Sequence, residues 1–214
     1  MSLAADTVPW TCRLCGAVGS LPAFAALDLP SAGWVECRGC GLVQKNGVPL
    51  VASSCPQETD SSARRRLTRL SSGVNGARYL SVGPHGAPAA AAARAIGLYL
   101  TSVAVGRMEG LVTQNQRFDL VDCPWVLAQA DDPRTLLQEM VAVAAHRGLI
   151  WASVPDPGHW LTGRLSRQKV QAALPYVVTV FDRASLANLG RAAGLQVRVE
   201  RGRQGMLYLT GRKV

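Results

Sequence analysis

Arg78-Tyr-Leu-Ser-Val-Gly-Pro-His-Gly-Ala-Pro-Ala-Ala-Ala-Ala-Ala-Arg-Ala-Ile-Gly97 is the stretch that decides the fold class. Arg78 to Val82 is a short apolar strand that breaks at Gly83-Pro84-His85-Gly86. Pro88 to Leu100 then reads as a helix, because it is built from strong helix formers. A strand, a glycine turn and a helix in that order open an α/β unit.

The same alternation continues downstream. Ser102 to Val105 and Phe118 to Cys123 read as further strands. Asp132 can cap a helix with Pro133 at its first position, presenting Leu136, Leu137, Met140, Val141 and Ala144 on one face. Gly148 closes that connection, and Leu149 to Val154 is another buried strand. Asp182 caps a helix running through Leu186, Leu189 and Ala193 to a stop at Gly194. Leu195 to Glu200 and Met206 to Thr210 read as a closing hairpin. The pattern predicts a three-layer α/β domain over residues 77–214, with a mostly parallel sheet and an antiparallel edge.

Upstream, Cys12-Arg-Leu-Cys15-Gly16 and Cys37-Arg-Gly-Cys40-Gly41 are two copies of one phrase, with 21 residues between Cys15 and Cys37. Each sets two thiols on a tight turn, and together they supply four thiolates for one tetrahedral zinc ion. Disulfides are disfavoured: no secretory signal opens the chain, and six Cys in 214 residues is not disulfide-dense. An intracellular, cytoplasmic and reducing setting follows as an expectation. Residues 1–46 form this zinc module, whose apolar residues Trp10, Phe24, Leu27, Leu29, Trp34 and Val35 are too few for a large core. Residues 47–76 read as a linker with an Arg-rich connecting helix near Ser62 to Leu70, turning Leu67 and Leu70 inward. Cys123, in an apolar run, is a buried small hydrophobe rather than a nucleophile.

Hydrophobic content of 48% with 17% charged residues is globular. Gly, Pro and Arg interrupt every apolar stretch, so no membrane span is expected. The net charge of +9 attracts polyanions, whether nucleic acid, nucleotide substrates or an acidic protein partner. Aromatic residues do not alternate with the basic ones as a base-stacking surface requires, so solvated Arg-rich faces explain the charge equally well.

Four segments resemble the class I S-adenosylmethionine-dependent methyltransferases that carry an N-terminal zinc-binding domain, with the sugar C-methyltransferases the nearest group. They are the Cys12 phrase with Cys37-Arg-Gly-Cys-Gly-Leu-Val-Gln44, then Tyr79-Leu-Ser-Val-Gly83, then Phe118-Asp-Leu-Val with Val126-Leu-Ala-Gln-Ala-Asp-Asp-Pro133, and Val180-Phe-Asp-Arg-Ala-Ser-Leu186 with Ala193-Gly-Leu195. The resemblance implies a Rossmann-like methyltransferase sheet behind a small zinc ribbon. It places the cofactor beside Ser81, Gly83, His85 and Gly86. His159, in Pro155-Asp-Pro-Gly-His-Trp160, follows the fifth strand, where the fold sets substrate-facing residues, and is the candidate general base.

The sequence departs from the family at the chemistry. The family's acid-x-Gly-x-Gly-x-Gly becomes Ser81-Val-Gly-Pro-His-Gly-Ala87. No carboxylate ends the second strand, where Gly106 and Arg107 stand and Glu109 comes three residues late. The family's histidine after the fourth strand is Gln129, which cannot exchange a proton at neutral pH. Only 34 residues separate Gly83 from Phe118, too few for two further strands and a helix, so the cofactor half reads as trimmed. His146 reads as ending a helix, and Tyr176 and Phe181 match family aromatics that packing explains as well. These departures predict a binding or structural subunit of a larger assembly with a degraded S-adenosylmethionine site. The alternative is an active C-methyltransferase acting on a small molecule such as a nucleotide sugar.

Overall fold

Two short hairpins open the chain: β1 (Trp10–Thr11) with β2 (Val18–Gly19), and β3 (Trp34–Glu36) with β4 (Val43–Lys45). This computed structural model describes residues 10–19, 34–45, 59–72, 77–84, 86–156, 177–202 and 205–213. Phe24, Leu27, Leu29, Cys55, His85, His159 and Tyr176 lie outside them.

The rest of the described chain runs α1 (Asp60–Leu70), β5 (Arg78–Val82), α2 (Gly86–Ala95), β6 (Tyr99–Val103), α3 (Met108–Thr113), β7 (Phe118–Pro124), α4 (Pro133–Val143), β8 (Ala144–Pro155), β9 (Thr179–Val180), α5 (Arg183–Ala192), β10 (Leu195–Arg201) and β11 (Met206–Lys213). Six strands form one sheet in the order β10-β11-β8-β7-β5-β6. β6, β5, β7 and β8 are parallel, while β11 and β10 add an antiparallel hairpin. The expected α/β architecture is therefore present, and the sheet is that of the Rossmann-like methyltransferase fold.

Strand alternation explains the layers. Leu80, Val82, Val121, Cys123, Ile150, Ala152 and Val154 turn to one face, where α3, α4 and α5 cover them through Met108, Leu137, Met140, Leu186 and Leu189. Tyr79 and Leu120 turn to the other, under Ala63 and Leu67 of α1 and Ala89, Ala92 and Ala93 of α2. The first face also takes in Trp10, Trp34, Val35, Leu42 and Val43, so one apolar cluster runs through the ribbon and the α/β sheet. The few apolar residues of the ribbon are thus completed by a neighbour's core.

Local chemistry moved several boundaries. The helix expected over Pro88 to Leu100 stops at Ala95 because Gly97, at φ +74°, reverses the chain and Leu98 N–H returns to Ala93 O at 3.0 Å. The next strand consequently starts at Tyr99 rather than Ser102. α4 ends at Val143, and β8 begins at Ala144, so His146 is an exposed strand residue and not a helix terminus. Asp132 does cap α4, accepting from Arg134 and Thr135 N–H, and Asp182 caps α5 in a capping box with Ser185. Between Gly83 and Phe118 the described residues hold one strand, β6, which leaves β5 second from the edge.

Asp122 sits fully buried in the middle of the sheet, in β7. Its carboxylate pairs with the Arg66 guanidinium reaching in from α1 and accepts from the Tyr79 hydroxyl at 2.8 Å. The guanidinium also lies 5.0 Å from the centre of the Trp151 ring. Removing one partner of such a pair strands the other in a low-dielectric interior, at a cost of about 3–5 kcal/mol. Asp122→Ala should therefore lower the denaturation midpoint sharply. Arg66→Met paired with Asp122→Leu, which removes both charges, should recover most of the loss. Urea unfolding followed by circular dichroism measures both.

Candidate metal centre and cofactor crevice

The two Cys phrases fold into matching turns. Cys12 N–H donates to Ala17 O at 2.8 Å and Gly16 N–H to Cys12 O at 2.9 Å; Cys37 N–H donates to Leu42 O at 2.8 Å and Gly41 N–H to Cys37 O at 2.7 Å. Gly16 and Gly41 close these turns at φ +74° and +70°, a conformation that disfavours any side chain.

The turns bring the Sγ atoms of Cys12, Cys15, Cys37 and Cys40 within 4.8 Å of one another, and none is in a disulfide. Two pairs, Cys12 with Cys40 and Cys15 with Cys37, approach to 3.5 Å. Four sulfurs at this spacing suit a tetrahedral ion bound by thiolates. The turns also aim amides at sulfur, Leu14 N–H reaching Cys12 Sγ at 3.4 Å. Burial pushes the Cys37 thiol up, but the Cys40 amide, the Cys15 thiol and the Gly39 amide outweigh it and bring it down to about 7. Burial raises the Cys12 and Cys40 thiols, so these two depend on a cation to ionise.

Two features tie this centre to its surroundings, and neither was anticipated from sequence. The buried Gln44 amide on β4 accepts from Arg13 N–H at 3.0 Å and donates to Thr11 O at 2.9 Å, bolting one Cys turn to the other. On its other side β4 pairs antiparallel with β9, Lys45 N–H meeting Val178 O at 2.7 Å. Val178 N–H in turn donates to Ala128 O at 2.7 Å, after β7.

In a sheet of this order a ligand crevice belongs beyond the C-terminal ends of β5 and β7, where successive connections leave in opposite directions. Ser81 is fully buried there in register with Asp122, and its hydroxyl has no hydrogen-bond partner among the described residues. Gly83, at φ +112°, donates its N–H to Val103 O at 2.9 Å, and Pro84 has none to offer. Gly86 opens α2. Past β6, Gly106 and Arg107 occupy a 3-10 turn, and Glu109 is exposed on α3. Gln129 is half-buried after the turn Val126–Ala128, and Phe181 is wholly buried in the core. The Arg66–Asp122–Tyr79 group was missed as well, although a lone Asp between Val121 and Cys123 in a buried strand signals a required partner.

No protein-family model matches the chain, and no curated protein matches it in sequence. Solved structures do match in fold. A candidate O-methyltransferase from Nostoc punctiforme PCC 73102 aligns at TM-score 0.55 and 13% identity, over 72% of this chain and 56% of that one. The 4+2 cyclase SpnF aligns at 0.52 and 17%, over 75% and 84%. The CurJ carbon methyltransferase aligns at 0.51 and 10%, over 73% and 54%. The chain thus spans little more than half the length of two of these. The likeness is one of fold, and a fold shared by transferases and a cyclase does not fix the reaction.

Gln44→Leu keeps the size of the side chain while leaving Arg13 N–H and Thr11 C=O unpaired. It should cost about 1–3 kcal/mol. A thermal melt of metal-loaded protein, compared with wild type, reads the loss.

Proposed function

We propose that this chain is a zinc-ribbon protein on a methyltransferase fold that has lost tight S-adenosylmethionine binding and serves as a binding or structural subunit. One observation carries the reading: the first two residues of the turn after β5 offer no free backbone donor. Gly83 N–H is already held by Val103 O, and Pro84 lacks a hydrogen. A methionine carboxylate needs such donors, and ribose hydroxyls need an acceptor, yet the residues that follow β6, Ala104, Val105, Gly106 and Arg107, carry no carboxylate. The fit to this cofactor is therefore poor, and no chemistry is assigned to it or to His159.

The metal plays a structural role in this reading. Four thiolates saturate zinc and leave no open position for substrate. An acidic protein or a nucleic acid is the partner class that the surface suits. Arg69 on α1 lies beside Arg198 on β10, because Glu200 contacts Arg69 at 3.2 Å and Arg198 at 2.6 Å, and Arg64 and Arg65 are also exposed on α1. Two basic runs far apart in sequence thereby share one surface. A C-methyltransferase acting on a nucleotide sugar is the competing reading.

Two measurements separate them. Losing two or three charge-assisted hydrogen bonds, at about 1.5–3 kcal/mol each, removes several decades of affinity. Calorimetry with S-adenosylmethionine should detect no binding tighter than about 1 mM; a micromolar constant would favour the enzyme. Metal analysis should find one zinc per chain, and Cys15→Ser should lower that content. A disulfide within either Cys phrase would defeat the zinc assignment.

A further inference from the structure

β6 is the outer strand of the main sheet, and among the described residues nothing pairs with its free side. Edge strands are usually protected by charge, proline, a bulge or a covering element, because their open backbone groups recruit other strands. β6 has none of the sequence devices: from Gly97 to Gly106 there is no charged residue and no proline. Its register with β5 is unbroken from Tyr99 to Val103. Tyr99 is 71% exposed, one of two large hydrophobic residues so placed among those described.

The hydrogen bonds fix which backbone groups point outward. Tyr99 N–H donates to Ala77 O at 3.0 Å, and Val103 O accepts from Gly83 N–H at 2.9 Å. In a parallel ladder alternate residues address the neighbour, so Tyr99, Thr101 and Val103 are committed to β5. Leu100 and Ser102 turn their N–H and C=O groups to the open side.

We infer that this edge is the self-association surface of the protein, pairing β6 antiparallel with β6 of a second copy about a twofold axis through Thr101. The strand is complementary to itself in that register. Leu100 falls opposite Ser102 of the other copy, and each such pair exchanges two hydrogen bonds, four in all across the axis. Thr101 meets its own counterpart at the close, non-hydrogen-bonded spacing. Tyr99 meets Val103, an aromatic beside a β-branched residue, and both classes of pair stabilise antiparallel strands. A chain of net charge +9 repels its own copies, and a seam without charge is where that repulsion is least. On the sheet face above, α2 reaches solvent through the small side chains of Ala87, Ala91 and Ala95 and through Arg94 in its last turn. The inference is independent of the cofactor reading, since it holds or fails whether or not S-adenosylmethionine binds.

The test is sedimentation equilibrium of the metal-loaded full chain, with no cofactor and no partner added. The wild type should run at twice the 22.7 kDa chain mass at micromolar concentration. Thr101→Lys sets two like charges face to face and should weaken association at least tenfold, as should Thr101→Glu. Mixing these two variants sets opposite charges together and should restore the dimer as a heterodimer, which damage to the fold could not do. Ser102→Pro removes an outward N–H while sparing the β5 ladder, and should also give monomer with unchanged circular dichroism. A monomeric wild type overturns the proposal, and so does a dimer indifferent to all three substitutions or one that mixing does not restore.

Discussion

A carboxylate buried in the centre of a sheet must be met by a cation, and this requirement decides where α1 lies. The side chain of Asp122 has no route to water from β7. Arg66 supplies the charge, Tyr79 adds a hydrogen bond, and the Trp151 ring lines the guanidinium. Apolar contacts through Ala63 and Leu67 would hold α1 to the sheet in several orientations of similar energy. An ion pair at one point of one strand favours those that bring Arg66 over Asp122. With the helix so placed, its exposed Arg69 arrives beside β10, where it meets Glu200.

The ribbon is held in a different way. Its two Cys turns are joined by sulfur geometry, by the Gln44 amide and by an apolar surface continuous with the α/β core. β9 then extends the β3–β4 hairpin into a three-stranded sheet. The sulfur cluster, side-chain hydrogen bonding and strand addition thus meet in one short hairpin, from Cys37 to Lys45. A change there is felt on both sides.

The period-two and helical patterns made the α/β layers legible, and the Cys spacing made the sulfur cluster legible, because both signals are local. Asp132 and Asp182 announced their helices for the same reason. What sequence left open depended on partners distant in the chain. Gln44 is unremarkable until Thr11 and Arg13 stand beside it. The partner of Asp122 went unread, since nothing local tells which of 23 Lys and Arg residues meets it. The α2 boundary was misplaced because Gly97, inside an Ala-rich run, outweighed the helix propensity around it.

The pairing of β4 with β9 has a temporal consequence. Val43 and Val180 are separated by more than half the chain, so the ribbon and the strand that completes it leave the ribosome far apart in time. The Cys turns are local and can capture a metal as soon as Cys40 emerges. The edge of β4 must then wait, unpaired, while the intervening sheet is synthesised. A bound ion would hold that early hairpin in register until its late partner arrives, making the metal a placeholder in synthesis as much as a fastener of the finished fold.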